Sequence, residues 1–139
     1  MRENDWQRKI CKLARYNGAY ATKWNSANMV GVPDLIVIND HGTAFLEVKR
    51  KVVESWTNMP CHVKVPAHQL STLIKIYHAG GHGNIMVVYE GPGIVQLSIT
   101  PIQYCNIFKT NIMLLEPQFD WKDLQKNPEW LVTGCWRKQ

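Results

Sequence analysis

Two carboxylates and a lysine stand close together in the first half of the sequence. Asp34 directly follows Pro33, Glu47 comes thirteen positions later, and Lys49 is two residues beyond Glu47. Because side chains alternate between the two faces of a strand, Glu47 and Lys49 would project from the same face. If a hairpin closes through a turn at residues 40–42, Glu47 lies near Leu35 or Asp34 on the neighbouring strand. Both acids and the ammonium group can then converge at one end of a sheet.

This set of side chains suits metal-assisted hydrolysis of a phosphodiester bond. Carboxylates supply the hard oxygen ligands that Mg²⁺ prefers and leave positions for water and phosphate oxygens. The cation lowers the pKa of a bound water and neutralises charge in the transition state. A lysine beside the cation can orient or deprotonate that water, or stabilise the developing charge, and the sequence leaves these roles open.

Each of the three residues has an ordinary alternative explanation. An aspartate at the start of a strand is common, and a glutamate and lysine on an exposed strand face often form a solvated ion pair. Taken singly, each residue is more commonly a surface charge than a catalytic group. The combination of all three therefore carries the chemical hypothesis.

The elements that must position these residues follow from hydrophobic periodicity and turn residues. Apolar residues at helical spacing predict a helix over residues 4–17, which Asn4 can cap and Gly18 can end. Residues 20–25 alternate as a strand does, and residues 26–32 are predicted to be a loop. A hairpin then comprises strands 34–38 and 43–49 around the turn at residues 39–42.

The second half of the chain is predicted to complete an α/β fold. After a connection over residues 50–65, Pro66 opens a helix that runs to about His78. Two further strands are predicted at residues 85–89 and 94–99. The chain is expected to form one domain over residues 1–139, with its core at about 3–100 and a less regular extension at 101–139. That extension contains a short helical segment after Pro101.

Basic residues give the chain a formal net charge of +5. Arg8, Lys12 and Arg15 repeat with the periodicity of the first helix, displaced by two positions from its apolar residues. Two positions correspond to about 200° around a helix, so this basic stripe faces away from the core. A solvated face and a phosphate-contacting face are equally compatible with the pattern. Arg50 and Lys51 extend the positive charge beyond the hairpin.

The hairpin sequence resembles a known superfamily of nucleases. Residues 31–38 (GVPDLIVI), a turn, and residues 44–50 (AFLEVKR) resemble the PD-(D/E)XK nuclease motif. Within the superfamily, the chain looks most similar to virus-type replication-repair nuclease (VRR-NUC) domains, with phage and archaeal Holliday-junction resolvases as relatives. The resemblance covers about residues 3–89. It implies a restriction-endonuclease-like core, in which a central mixed β-sheet is flanked by helices in the order α-β-β-β-α-β.

The resemblance also implies roles for individual residues. Asp34, Glu47 and the main-chain carbonyl of Val48 would bind Mg²⁺ or Mn²⁺, and Lys49 would be the catalytic lysine. Gln69, near the start of the second helix, matches a glutamine that these domains often carry. The family's helix-borne carboxylate would be Glu3, with Gln7 as the alternative. Lys23 would contact phosphate, and the residues expected to bind nucleic acid are therefore Lys23, Arg50, Lys51, Arg8, Lys12 and Arg15.

The function expected from this resemblance is that of a DNA endonuclease selective for branched DNA such as a Holliday junction. A homodimer is implied, and the apolar tail residues Trp121, Trp130, Leu131 and Trp136 could form its interface or cover the sheet of a monomer. The alternatives are a sequence-specific or nicking repair endonuclease, and a non-catalytic nucleic-acid-binding module. The absence of a long apolar run predicts no membrane partner and a cytoplasmic location, in the host cytoplasm if the protein is phage-encoded.

Overall fold

The computed structural model describes residues 1–24, 31–57, 59, 61–106, 109, 111–126, 130 and 135. Asn25, which the sequence places at the end of the first strand, lies outside this part of the chain. Most of the predicted loop at 26–32 and the tail residues Leu131 and Trp136 also lie outside it.

The first helix, α1 (Glu3–Tyr16), forms because its apolar residues recur on one face. Trp6, Ile10, Leu13 and Ala14 are all buried, and Gly18 follows the helix with a φ of +91°. The prediction that Asn4 caps the helix is wrong, since the helix begins one residue earlier. The carboxylate of Asp5 instead accepts a hydrogen bond from the backbone N–H of Arg2, at 3.1 Å.

The predicted hairpin is present and belongs to a three-stranded antiparallel unit. Strands β1 (Tyr20–Lys23), β2 (Leu35–Asn39) and β3 (Gly42–Val52) pair in that order. Asn39 pairs with Gly42, so the turn between β2 and β3 has only two central residues. β3 continues three residues past Lys49, which makes Arg50 and Lys51 strand residues. The predicted connection therefore begins too early, because residues 50–52 still pair with a neighbouring strand.

A parallel crossover follows the hairpin. The chain passes through β4 (His62–Lys64) and α2 (Ala67–His78) into β5 (His82–Glu90), which pairs with β3 in parallel. It returns along β6 (Val95–Pro101), and a short 3₁₀ helix follows at Ile102–Tyr104. β4 was not predicted. It pairs with β7 (Asn111–Met113) in a separate two-stranded sheet.

The main sheet contains six strands within the described residues, in the order β1-β2-β3-β5-β6-β8, where β8 is Phe119–Asp120. Each face of this sheet has its own apolar core. The core on the α1 side includes Val48, Met86 and Val88. The core on the α2 side includes Ile85, Val87 and Tyr89. Successive residues of β3 therefore point alternately towards α1 and towards α2.

The C-terminal tail packs on the α1 side. A second 3₁₀ helix, Trp121–Lys126, follows β8, and Trp130 is fully buried in the α1-side core. The Trp130 indole Nε1 donates a hydrogen bond of 2.6 Å to the side-chain oxygen of Asn17. Of the two uses predicted for tail apolar residues, Trp130 therefore covers the sheet of its own chain.

All four cysteines lie among the described residues and are free thiols. Cys11 and Cys135 are buried in the α1-side core, whereas Cys61 and Cys105 are partly exposed. Burial raises the pKa of the Cys105 thiol to about 11. Among the helices that the structure describes, none has both the length and the apolar character that a membrane span requires.

Candidate active site

The hairpin register places Asp34 opposite Glu47. Leu35 pairs with Leu46, so the residue before Leu35 and the residue after Leu46 face each other across the strands. The sequence predicted that Asp34 is the first residue of this strand. In the structure β2 begins at Leu35, and Asp34 lies immediately before it. Its Oδ2 atom accepts a hydrogen bond of 2.8 Å from the backbone N–H of Val48. The carboxylate is therefore fixed against the edge of β3.

Glu47 is a buried acid with one unpaired oxygen. Its residue is only 2% exposed, and its Oε1 atom lies 3.5 Å from Lys49 Nζ. Its Oε2 atom is buried without a hydrogen-bond partner among the described residues. Burial first, then the adjacent charge of Asp34 and a hydrogen bond that protonated Glu47 can share with Asp34, raise the pKa of Glu47 to about 8. Lys49 acts in the opposite direction. A buried oxygen of this kind is costly unless something positive compensates for it.

Lys49 connects the strand to the second helix. It projects from the same side of β3 as Glu47, and its Nζ donates a hydrogen bond of 3.3 Å to Gln69 Oε1. Gln69 lies in the first turn of α2, which begins directly after Pro66. The helix start thus holds the amide where it can orient the ammonium group. Asp34, Glu47, Lys49 and Gln69 are all brought together on the α2 side of the sheet.

Val48 lies between the two charged residues, with its side chain in the α1-side core. The N–H and C=O groups of a strand residue point to the same neighbouring side. Since the Val48 N–H bonds to Asp34, the Val48 carbonyl is directed towards this same edge, beyond the point where β2 begins. A main-chain oxygen therefore accompanies the two carboxylates.

Glu3 reaches the same edge of β3 from the start of α1. Its Oε2 atom accepts a hydrogen bond of 3.3 Å from the backbone N–H of Arg50, two residues beyond Val48. Of the two helix-borne candidates, Glu3 is the one for which the structure describes a contact with β3. It lies beside the acidic pair, bonded to backbone.

The donor set fits a divalent cation that keeps part of its water shell. No cluster of three or more His, Cys, Asp or Glu side chains suited to a metal ion occurs in the described part of the chain. The available ligands are the Asp34 and Glu47 carboxylates with the Val48 carbonyl. Mg²⁺ is commonly bound through one or two carboxylates with several waters retained. The unpaired Glu47 Oε2 is the observation that favours a cation here, because a positive charge would satisfy it.

Two of the predicted phosphate-contacting residues are engaged in the fold. Lys23 donates a hydrogen bond to the Asn4 side chain, which ties β1 to α1. Lys51 projects from the same side as Lys49 and donates to the main-chain oxygen of His62 in β4. Both lie near the acidic edge.

Arg50 points to the α1 side of the sheet, away from the Glu47 side chain. It forms a 2.8 Å ion pair with Glu90 at the end of β5. The Trp6 indole donates a second hydrogen bond to the same carboxylate. Glu90 was not singled out from the sequence, because its partners are 40 and 84 positions away and no local pattern relates them.

The basic stripe on α1 is exposed, as its spacing predicts, but it is not brought to the acidic residues. Arg8, Lys12 and Arg15 lie on the outer surface of a helix that covers the opposite face of the sheet. Arg15 is also engaged locally, since its Nε donates a 2.9 Å hydrogen bond to the Ala21 carbonyl. Any contact of this stripe with a ligand would be separate from the Glu47 face.

No protein-family model matches the sequence, and no curated protein matches it. A solved structure does match the fold: Hjc of Archaeoglobus fulgidus, a Holliday junction resolvase from an archaeal hyperthermophile. The TM-score is 0.54 at 15% sequence identity, and the match covers 81% of this chain and 85% of the other. The predicted fold, a central mixed sheet flanked by helices, is thereby confirmed.

Proposed function

We propose that this protein is a metal-dependent nuclease that hydrolyses DNA phosphodiester bonds. The observation that carries the proposal is the meeting of Asp34 and Glu47 beside Lys49, with one Glu47 oxygen buried and unpaired. A structural ion pair has no need of a second acid that raises the pKa of the first. A cation site has that need, because two carboxylates bind a divalent ion more strongly than one does.

Each residue of the group has a definite task in this proposal. Asp34 and Glu47 would hold Mg²⁺ or Mn²⁺ together with the Val48 carbonyl, and the Val48 N–H keeps Asp34 in place. When bound, the cation would neutralise phosphate charge and lower the pKa of a ligated water. Lys49 presents N–H donors beside the acidic pair, so we assign it electrostatic stabilisation of the reacting phosphate. Gln69 orients Lys49, and Glu3 borders the site at Arg50.

The proposed substrate is branched DNA, such as a four-way junction. The fold similarity to a Holliday junction resolvase supports this choice, together with the net charge of +5. A four-way junction requires two cuts on opposing strands, so we further propose a homodimer that presents two active sites. Lys23 and Lys51 lie near the acidic edge and are proposed phosphate contacts. Arg50, whose side chain pairs with Glu90 on the α1 side, is proposed to contact phosphate beyond that edge.

The test is cleavage of a four-way junction, with matched linear, nicked and flapped duplexes alongside it. Each substrate is incubated with Mg²⁺, with Mn²⁺ and with chelator. We expect the junction to be cut in either metal and to remain intact in chelator. Preferential cutting of linear duplex at one sequence would instead support a restriction-like enzyme. If none of the substrates is cut in either metal, the result would support a non-catalytic nucleic-acid-binding module.

A matched pair of variants tests the assignment of the site. Asp34→Asn should abolish cleavage while leaving junction binding largely intact, since it removes a metal ligand and keeps the side-chain shape. Asp40→Asn, the same substitution in the exposed turn of the same hairpin, should cut at the wild-type rate. Wild-type cleavage by Asp34→Asn would overturn the assignment.

A further inference from the structure

A groove lies on the α1 side of the molecule, on the opposite face of the sheet from Glu47. It lies between α1 and the 3₁₀ helix Trp121–Lys126, is open to solvent, and has a volume of about 280 Å³. The lining side chains are Lys9, Lys12, Leu13, Tyr16, Trp121 and Gln125. Tyr16 is 71% exposed, so most of the surface of this large ring is available to a ligand at the groove.

The charge around this groove is strongly positive. From residue 8 to residue 16, α1 carries Arg8, Lys9, Lys12 and Arg15 and no acidic residue. The facing 3₁₀ helix adds the exposed Lys122 and Lys126, against a single acid, Asp123. Such a surface is complementary to a polyanion. Exposed aromatic rings within a basic groove are the combination with which proteins bind single nucleic-acid strands, through base stacking and phosphate contacts.

The floor of the groove is held rigidly. Trp121 packs edge-to-face on Trp6, with ring centroids 5.1 Å apart, and Lys9 Nζ lies 5.3 Å from the Trp6 ring centroid. Trp6 is itself buried, and its indole N–H bonds to Glu90, which also binds Arg50. This packed aromatic pair supports the groove beside Tyr16, the ring that is exposed for stacking.

The groove is within reach of a strand that leaves the proposed active site. Glu3 lies beside that site, and Lys9 and Tyr16 follow it along α1 by six and thirteen residues. At 1.5 Å per residue, the groove extends from roughly 9 Å to roughly 20 Å along the helix from Glu3. The spacing of phosphates is about 3.4 Å per strand in duplex DNA. A few nucleotides span that distance along the helix, and the strand must also pass around the edge of the sheet at Glu3 to reach the α1 face.

We propose that this groove binds an unpaired segment of a nucleic-acid strand, with Tyr16 stacking on a base and Lys9 and Lys12 contacting phosphates. The inference rests on the proposed function for the identity of the ligand, since it places here a strand that is unpaired near a branch point, as in a flap or in a junction whose bases have opened. It assigns the basic stripe of α1 to a second contact surface, separate from the catalytic one.

The test measures binding in chelator, where no cleavage occurs. Fluorescence anisotropy is recorded with a labelled duplex that has a single-stranded tail and with the corresponding blunt duplex. Tyr16→Ala should weaken binding of the tailed duplex by about tenfold and leave the blunt duplex nearly unchanged. Tyr16→Phe, which keeps the ring, should bind as the wild type does. Lys12→Gln should weaken tailed binding and reduce its salt dependence.

Two matched controls lie elsewhere on the surface. Tyr20→Ala removes a ring of similar exposure, 65%, from the other side of the sheet, and Lys75→Gln removes an exposed lysine from α2. Neither substitution should change the affinity for the tailed duplex. The groove assignment is overturned if Tyr16→Ala binds the tailed duplex as tightly as Tyr20→Ala does. It is also overturned if Tyr16 and Lys12 are needed only for binding to phosphatidylserine vesicles.

This readout separates the groove from the proposed catalytic activity. If binding of the tailed duplex depends on Tyr16 but the protein cuts no substrate, the groove assignment stands and the nuclease proposal fails. If the protein cuts the junction but Tyr16→Ala binds the tailed duplex normally, the nuclease proposal stands and the groove assignment fails. Thermal unfolding of each variant confirms that the exposed substitutions leave the fold intact.

Discussion

Glu47 and Glu90 lie on neighbouring parallel strands but in opposite electrostatic environments. Glu90 faces α1 and binds both Arg50 and the Trp6 indole, and these hydrogen bonds, Arg50 foremost, lower its pKa below the ordinary range. Glu47 faces α2, and its burial beside Asp34 raises its pKa to about 8. One carboxylate is satisfied by the fold, and the other is left with an unpaired oxygen.

The difference distinguishes a structural acid from a candidate functional one. Glu90 joins β5, β3 and α1, so the fold gains from its charge. Glu47 destabilises the metal-free fold when it is ionised, because a buried carboxylate with an unsatisfied oxygen loses its hydration. Sites that bind a cation or substrate commonly hold such unfavourable charge before the ligand arrives. The pair therefore provides internal controls, since the same substitution should act in opposite ways at the two positions.

The largest contrast is expected in cleavage. Glu47→Gln should lower the rate by about a thousandfold or more, since loss of a cation ligand removes several kcal/mol of transition-state stabilisation. Glu90→Gln should stay within a few-fold of wild type, because Glu90 touches Arg50 and Trp6 and not the acidic pair. Initial rates on saturating junction substrate would show this. If both variants lost cleavage rate to the same extent, the distinction between a functional Glu47 and a structural Glu90 would be wrong.

Metal-induced stabilisation should differ next most strongly. At a concentration one hundred times its dissociation constant, a ligand adds about 2.7 kcal/mol to the free energy of unfolding, which is on the order of 10 °C for a chain of this size. We expect Mn²⁺ to raise the melting temperature of the wild type and of Glu90→Gln by similar amounts. Glu47→Gln should show little response in differential scanning fluorimetry. If Mn²⁺ raises the melting temperature of Glu47→Gln as much as that of the wild type, the cation does not bind at Glu47.

The pH dependence of stability in chelator should have opposite signs at the two positions. The raised pKa of Glu47 means that the folded protein binds more protons than the unfolded chain between pH 4.5 and about 8. Its contribution to stability therefore falls as pH rises through that window. Glu47→Gln should melt a few degrees above the wild type at pH 8 and level with it below pH 4.5.

The lowered pKa of Glu90 gives the reverse dependence. Its stabilising contribution is present above its ordinary pKa and is lost as the pH falls through the lowered value. Glu90→Gln should therefore melt below the wild type at neutral pH, and the gap should close in acid. Melting curves over a pH series for both variants make the comparison. Parallel curves for the two variants would contradict it.

The smallest expected effect is that of salt. The Arg50–Glu90 pair is partly exposed, and the screening length falls from about 10 Å at 0.1 M salt to about 3 Å at 1 M. The difference in melting temperature between Glu90→Gln and wild type should therefore narrow in 1 M NaCl. The difference for Glu47→Gln should change less, because that site is buried. A larger salt response at Glu47 would show that it is open to solvent.

Local patterns predicted the elements that carry the candidate site. The apolar spacing of α1 located that helix to within one residue at each end. The predicted turn placed Glu47 near Leu35 or Asp34, and the observed pairing of Asn39 with Gly42 selects Asp34. That register alone brings Asp34 opposite Glu47. Gln69 was placed correctly at the start of α2, because proline marks the start of the helix. Their catalytic and metal-binding roles remain predictions.

Features that depend on distant parts of the chain could not be predicted. β3 extends to Val52 because β5 pairs with it, and β4 exists because β7 pairs with it. The side of the sheet on which α1 packs decided that Arg8, Lys12 and Arg15 lie away from Glu47. For the same reason, the groove at Tyr16 requires Trp121, a residue from the far end of the chain.

The parallel pairing of β3 with β5 also bears on the order in which the chain folds. The β2–β3 hairpin closes through two residues, whereas the connection from β3 to β5 runs through β4 and α2. Loop-closure entropy makes the second pairing slower, so we expect Asp34 to meet Val48 early and α2 to dock late. Until α2 and β5 dock against β3, the Glu47 side chain remains hydrated, and its ionisation costs little free energy. The barrier to folding should thus be lowest where that side chain enters protonated, and refolding should slow as the pH rises from about 4.5 towards 8.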